Sequence, residues 1–238
     1  MTAQRSYDQF CPASRTLDLL GERWTLLIVR DLLIGPKRWS DLRASLPRLG
    51  SNLLAERLRA LEATGIVTRR ELPPPAARTV YELTDRGREL DAVVLSLARF
   101  GLPYLDRPTD EQPLLPHLRD EALRPMVRFE AMPPEGATIR FELAEGRYLM
   151  TIEPLVDDDG VPAPFHRRLG VSTLTADDHA ADADAVVEGS LPTLLWIRQG
   201  HVGWAEAVAG GDLIVDGDDD LVRALFAPGH AATADASR

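Results

Sequence analysis

The sequence predicts a mainly α domain that ends in a β-hairpin, followed by an α+β domain of opposite charge. Three observations carry this. In the first half, apolar residues recur at three- and four-residue steps, the period of helices with one buried face. In the second half, the pattern alternates residue by residue before returning to short helical runs. Charge also divides along the chain. Residues 1–107 hold 17 Lys and Arg against 13 Asp and Glu, a net +4, and residues 108–238 hold 10 against 24, a net −14. Such asymmetry suits a basic binding module joined to an acidic module with another task. The length of 238 residues allows one large or two ordinary domains, and 45% apolar with 27% charged residues is a globular composition.

Leu17, Leu20, Trp24, Leu27, Ile28 and Leu32 predict two helices sharing one buried face, broken at Gly21 and stopped by Gly35-Pro36. Ser40 and Asp41 can cap a short third helix that runs through Ser45 and ends at Pro47. Gly50-Ser51-Asn52 opens a fourth, with Leu54, Leu58 and Leu61 inward and Thr64-Gly65 at its close. Residues 66–70 and 80–83 read as strands around a stiff exposed tip, Pro73-Pro74-Pro75-Ala76-Ala77-Arg78. Thr84 then caps a long helix with the apolar stripe Leu90, Val93, Val94, Leu97 and Phe100, ending at Gly101.

Pro103, Pro108, Pro113 and Pro116 exclude a long helix and make 108–116 a linker. In the acidic domain, 117–228, a helix is expected near 118–129. Strands are expected at 138–143 and 148–153, joined by Ala144-Glu145-Gly146-Arg147, then at 171–175 and 185–188. Ser190 caps a helix over 191–197, a short helix covers 202–208, and Gly210-Gly211 turns into a strand at 213–215. Asp218 opens a last helix over 221–226, and 229–238 is a frayed tail.

Helix–turn–helix followed by a hairpin is the winged-helix arrangement. A helix about 10–12 Å across fits the DNA major groove and meets base edges with its N-terminal residues, while the hairpin tip reaches phosphates or the minor groove. The stretch 36–80 suits that task, with nine basic residues against four acidic. Ser51 and Asn52 open the recognition helix, with Ala55, Glu56 and Arg59 on or beside its outward face. Arg59 is the leading contact to a base or phosphate. Arg57 can meet either phosphate or an internal carboxylate. Lys37, Arg38 and Ser40 precede it at the backbone phosphates, and Arg78 is the wing-tip contact. Trp24 and Trp39 are read as packing residues.

Several blocks in order over about 95 residues resemble the HxlR-type winged-helix transcription regulators. They are Cys11-Pro12, Leu17-Asp18-Leu19-Leu20-Gly21-Glu22-Arg23-Trp24, Arg30-Asp31-Leu32-Leu33-Ile34-Gly35-Pro36, Arg38-Trp39-Ser40-Asp41-Leu42, Leu53-Leu54-Ala55-Glu56-Arg57-Leu58 and Tyr81-Glu82-Leu83-Thr84-Asp85-Arg86-Gly87. The resemblance implies double-stranded DNA as partner, an inverted repeat near a promoter, and a homodimer built on the first helix and the helix after the wing. It departs at Gly50, where serine is more usual. It also keeps a cysteine at the place of Cys11, which some members use to sense oxidants. Cys11 therefore has two readings, a redox sensor helped by Arg15 or a buried, inert thiol.

Other classes find no support. No apolar run spans a bilayer and no signal peptide is read, so a cytoplasmic protein is expected. A single cysteine excludes an internal disulfide framework and any four-cysteine metal site. The five histidines form no HxxxH or HExxH pattern, Asp157-Asp158-Asp159-Gly160 lacks calcium-loop spacing, and no nucleotide fingerprint appears. No catalytic residue, metal or cofactor is assigned, and no enzyme is expected.

From Ala185 to Phe226 the order of strands and helices resembles the C-terminal part of sterol-carrier-protein-like domains, over about 115–228 in all. The fold expected is thus a mainly α winged helix-turn-helix domain, 1–107, followed by an α+β sterol-carrier-like domain. That resemblance implies an apolar tunnel between sheet and helices and a hydrophobic small molecule as ligand. Its candidate walls are Leu195, Trp196, Trp204, Leu213, Val215, Leu221, Leu225 and Phe226. The rival reading is a lipid-binding or lipid-transfer protein whose winged helix serves protein contacts.

Overall fold

The computed structural model describes residues 6–73, 78–106, 118, 122–156, 161–162, 168–175 and 182–228. The chain divides into two compact units, Met1–Val94 and Leu95–Arg238, each with its own hydrophobic core.

In the first unit α1 (Pro12–Leu20) and α2 (Thr25–Leu33) separate at Gly21 as predicted, although the left-handed residue of the turn is Trp24, at φ 79°. The predicted shared face is narrower than the periodicity. Leu20, Ile28 and Leu32 are buried, but Leu17 and Leu27 are exposed. The inward side of α2 is set by Ile28, Val29 and Leu32, and Leu27 stands about 100° around the helix from Ile28.

Next, α3 (Trp39–Ser45) is capped from within by Asp41, whose carboxylate accepts the Arg38 backbone N–H at 2.9 Å. The following helix, α4 (Ser51–Ala63), buries Leu54, Leu58 and Leu61 and closes on Gly65, at φ 69°. The wing is an antiparallel pair, β1 (Val67–Glu71) and β2 (Thr79–Leu83), with Val67 opposite Leu83. Lys37 adds a bridge to it: its N–H donates to the Tyr81 carbonyl at 3.0 Å and its carbonyl accepts from Tyr81 at 2.8 Å. The entry to α3 is thereby tied to the wing.

The predicted long helix after Thr84 is two helices, α5 (Asp85–Arg88) and α6 (Asp91–Gly101). Thr84 caps only the first: its Oγ1 accepts the Gly87 N–H at 3.1 Å and donates to the Gly65 carbonyl at 2.7 Å. Gly87 lets α5 lie against the chain entering β1, since a Cβ there would strike the Ile66 carbonyl oxygen. This single turn is thus pinned at both ends, and the chain restarts at Asp91. The stripe divides too. Leu90 and Val94 pack on the first unit's core, whereas Val93, Leu97 and Phe100 are exposed.

The second unit begins inside α6, earlier than the expected boundary at 107. The reason is local packing. Leu102 enters this unit's core, Gln199 Nε2 donates to the carbonyls of Leu102 and Leu105 at 2.8 and 2.9 Å, and Arg99 lies 3.8 Å from Glu130. Of the helix expected at 118–129, Ala122 and Leu123 are helical, and after Leu123 the chain passes into 3-10 turns at Arg124–Met126 and Phe129–Ala131, because Pro125 lacks the N–H that a helix interior needs.

A five-stranded sheet follows, made of β3 (Ala137–Leu143), β4 (Gly146–Ile152), β5 (Leu169–Thr173), β6 (Ala185–Gly189) and β7 (Ile214–Gly217). Its order is β5-β4-β3-β6-β7; among the described residues β3–β6 is the one parallel pair and the others are antiparallel. Alternate residues Ile139, Phe141 and Leu143, and Tyr148, Met150 and Ile152, are buried. They share a core with α7 (Leu191–Gln199), α8 (Trp204–Gly210) and α9 (Asp219–Phe226), where Phe141 meets Phe226 edge-on at 5.7 Å. Ser190 and Asp218 cap α7 and α9 as predicted. The linker 108–116, the Pro-rich tip 74–77 and the tail 229–238 lie outside the described residues.

Candidate nucleic-acid interface

The start of α4 presents free backbone donors. Gly50 is extended and caps without a side chain, so first-turn N–H groups are left for another acceptor. Ser51 and Asn52 are exposed beside them, and Ala55, Glu56 and Arg59 follow on the side away from Leu54, Leu58 and Leu61. Arg59 is exposed, its Nε resting on the Ala55 carbonyl at 3.1 Å, with no carboxylate partner among the described residues. Arg57 meets two carboxylates of the chain. Its guanidinium bonds Glu22 at 3.0 Å and Glu56 at 3.1 Å and is mostly covered.

Around the helix, Lys37 and Arg38 are half-exposed and Ser40 is exposed, its Oγ donating to Asp41 at 3.3 Å. Arg78 is exposed at the wing. The two exposed strand arginines each pair with a neighbouring acid, Arg69 with Glu62 at 2.6 Å and Arg70 with Glu82 at 2.9 Å. Sequence reasoning missed Arg48, exposed in the turn between α3 and α4. Its signal was its place inside the basic stretch, three residues before the first residue of α4. Trp39 is partly exposed, with Arg43 5.9 Å from its ring centre, and Trp24 packs on the core under Arg23 at 5.3 Å.

Cys11 is exposed, which corrects the buried-thiol reading. It precedes the first turn of α1, where the backbone N–H groups of Ser14 and then Ala13 lower the thiol pKa, although neither closes a capping bond of full geometry. A lowered pKa enlarges the thiolate fraction at neutral pH. Iodoacetamide is therefore expected to alkylate native Cys11 with a pH–rate midpoint below that of the unfolded chain. Coincident native and unfolded profiles would count against this.

Among the described residues the eight candidate wall residues of the second unit divide between the core and two surface hollows. Leu213, Leu225 and Phe226 are fully buried in the core, with Val215, Leu221 and Trp204 packed against it. Trp204 Nε1 donates to Asp219 at 3.1 Å. Leu195 lines an apolar groove of about 320 Å³ with Ala98, Leu102, Ala122, Met126 and Leu191. Trp196 lines a separate polar hollow beside Gln199 and His201. Among the described residues no group of His, Cys, Asp and Glu could hold a metal, and no helix is long and apolar enough to cross a membrane.

An exposed, uncapped recognition helix set between a basic turn and a β-wing defines a winged helix–turn–helix DNA-binding transcription regulator. The profile of the HxlR-like helix-turn-helix family matches residues 19–109. The uncharacterised HTH-type transcriptional regulator YvaP of Bacillus subtilis is 36% identical over 99 residues, 41% of this chain and 92% of its own length. The HTH-type transcriptional regulator YodB of the same organism is 40% identical over 84 residues, 35% of this chain and 75% of its own. The solved reduced form of YodB from B. subtilis is 34% identical, covers 41% of this chain and 97% of its own, and has a TM-score of 0.37. The chain belongs to the HxlR-like helix-turn-helix family.

Proposed function

We propose that the protein is a cytoplasmic homodimer that reads an inverted repeat near a promoter and responds to an effector through its acidic unit. The observation that carries the DNA reading is the start of α4, where Ser51, Asn52 and uncapped N–H groups stand exposed with Arg59 on the outward side. In this reading α4 enters the major groove, Lys37, Arg38, Ser40 and Arg48 hold phosphates, and Arg78 reaches the minor groove or its phosphates. Arg57 braces α4 through Glu22 and sets its angle.

Supporting the effector role is the apolar groove at Leu195, since the net −14 of residues 108–238 repels DNA and is unsuited to enlarging the operator footprint. The α+β unit is read as sterol-carrier-like in its order of strands and helices, with its ligand in this groove rather than under the sheet. Effector binding is expected to change operator affinity by about 5–150-fold.

Binding of promoter DNA at several salt concentrations tests the reading. Arg78→Ala is expected to weaken binding on every sequence and lower the salt slope by about 1, as loss of a phosphate contact does. Arg59→Ala is expected to cost about 1–3 kcal/mol, concentrated at one base position where it reads a base. Unchanged affinity in both variants, with folding intact, would sink this placement of α4 and the wing.

A further inference from the structure

In the acidic unit two arginines flank one carboxylate, and a third stands near them. Arg128 Nε lies 3.2 Å and Arg99 Nη2 3.8 Å from Glu130. Arg198 Nε donates to the Met126 carbonyl at 2.9 Å, and among the described residues no carboxylate pairs with its guanidinium. Two of these side chains are held in place. Arg99 is 3.9 Å from the centre of the Phe129 ring, and Arg128 reaches the Ala224 carbonyl at 3.4 Å. Burial is the main cause disfavouring the charge of Arg198, and repulsion from Arg128 and Arg99 adds to it, with Glu130 opposing. The four groups sum to two positive charges in a unit, Leu95–Arg238, that otherwise has a large acidic excess.

The cluster adjoins the apolar groove. Arg198 stands one helical turn beyond Leu195 on α7, on the side that also carries Leu191. Arg99 follows Ala98 and lies one turn before Leu102. The Met126 carbonyl that anchors Arg198 belongs to a groove-lining residue, and Arg128 is two residues further on. The groove supplies apolar wall, at the small end of the range for ligand pockets of about 300–1,000 Å³. The arginines supply fixed forks suited to a planar carboxylate, which Lys would not.

We infer that Arg99, Arg128 and Arg198 bind the head group of the effector, and that the effector is an amphipathic carboxylate whose apolar body lies in the groove. The inference rests on the reading of that groove as the effector site. Glu130 is the most exposed member and yields its place to the incoming carboxylate.

Calorimetric titration of the full-length protein with decanoate, decanol and acetate, below micelle-forming concentrations, tests it. Decanoate is expected to bind saturably and about tenfold or more tightly than decanol, the worth of one charge-assisted hydrogen bond, with acetate far weaker than either. Arg198→Gln and Arg128→Gln are each expected to remove that advantage and leave decanol binding unchanged. Leu195→Trp, which fills the groove, is expected to remove both ligands. Equal affinity for decanoate and decanol in the unaltered protein, or unchanged decanoate affinity in both arginine variants, overturns the head-group site while leaving the groove as an apolar site. Failure of both ligands to bind overturns the head-group site and the groove reading together.

Discussion

Leu97→Glu is expected to give a monomer with at least 100-fold weaker operator binding. The helix α6 carries Val93, Leu97 and Phe100 at successive turns of one side, and Tyr104 continues the row beyond its end. Leu97 is 48% exposed, Phe100 73% and Tyr104 76%, with the Phe100 and Tyr104 rings 5.8 Å apart. Single exposed apolar residues are ordinary, but an unbroken row on one helix marks an interaction face. In a two-fold dimer the row meets its own copy, so one substitution places a carboxylate on both sides of the contact. Each unpaired buried charge costs several kcal/mol, more than an interface of modest size can absorb. Two linked half-sites gain about 10²–10⁴ in avidity over one, and that gain is what the monomer loses. Val94 is the wrong place for this experiment, because it packs on the winged-helix core and a charge there would disturb the fold. Sedimentation at micromolar concentration decides the matter: an unaltered protein that runs as a monomer, or a Leu97→Glu protein that stays dimeric, removes this face from the assembly.

Periodicity made the helices of the DNA-reading unit legible, and α4 lies within a residue of its expected position because Gly50, Leu54, Leu58, Leu61 and Gly65 each signal the same helix. The caps Ser190 and Asp218 were legible for the same reason. What stayed hidden depends on partners far off in sequence. Apolar spacing records that Leu17, Leu27 and Leu97 are apolar, not whether the chain itself covers them. Arg57 had two readings until Glu22 came beside it from the α1–α2 turn. Thr84 signals a helix start, but the signal is the same for one turn as for three, so the break before Asp91 was invisible. By contrast, Pro125 sat in plain view inside the expected helix at 118–129 and should have shortened it. The apolar groove is built where the end of α6 meets the start of α7, a neighbourhood no local pattern describes. Candidate walls chosen for apolarity therefore included Leu213, Leu225 and Phe226, which are core.

Asp31→Ala is expected to destabilise the DNA-reading unit by about 3–5 kcal/mol, the cost of breaking a buried ionic group by removing one partner. Asp31 is fully buried in a helix otherwise rich in Leu, Ile and Val. Arg30 donates to its Oδ1 twice, from Nε at 3.0 Å and Nη2 at 2.8 Å. Ser45 Oγ donates to its Oδ2 from the last residue of α3. One carboxylate thus ties α2 to α3, and the turn after α3 leads into the recognition helix. Removing it strands the Arg30 charge, three-quarters covered, and the Ser45 hydroxyl. At about 4–8 °C per kcal/mol for a unit of this size, the melting temperature of the first unit is expected to fall by at least about 12 °C. Asp31→Asn keeps one acceptor oxygen and is expected to fall by less. A double-mutant cycle with Ser45→Ala separates the helix-to-helix bond from the Arg30 pair, and a coupling of about 0.5–3 kcal/mol, usual for residues in contact, is expected. Thermal unfolding of Asp31→Ala within about 1 kcal/mol of the unaltered protein, the ordinary effect of a point substitution, would show that the α2–α3 geometry is held by Ile28, Leu32 and Leu42 alone.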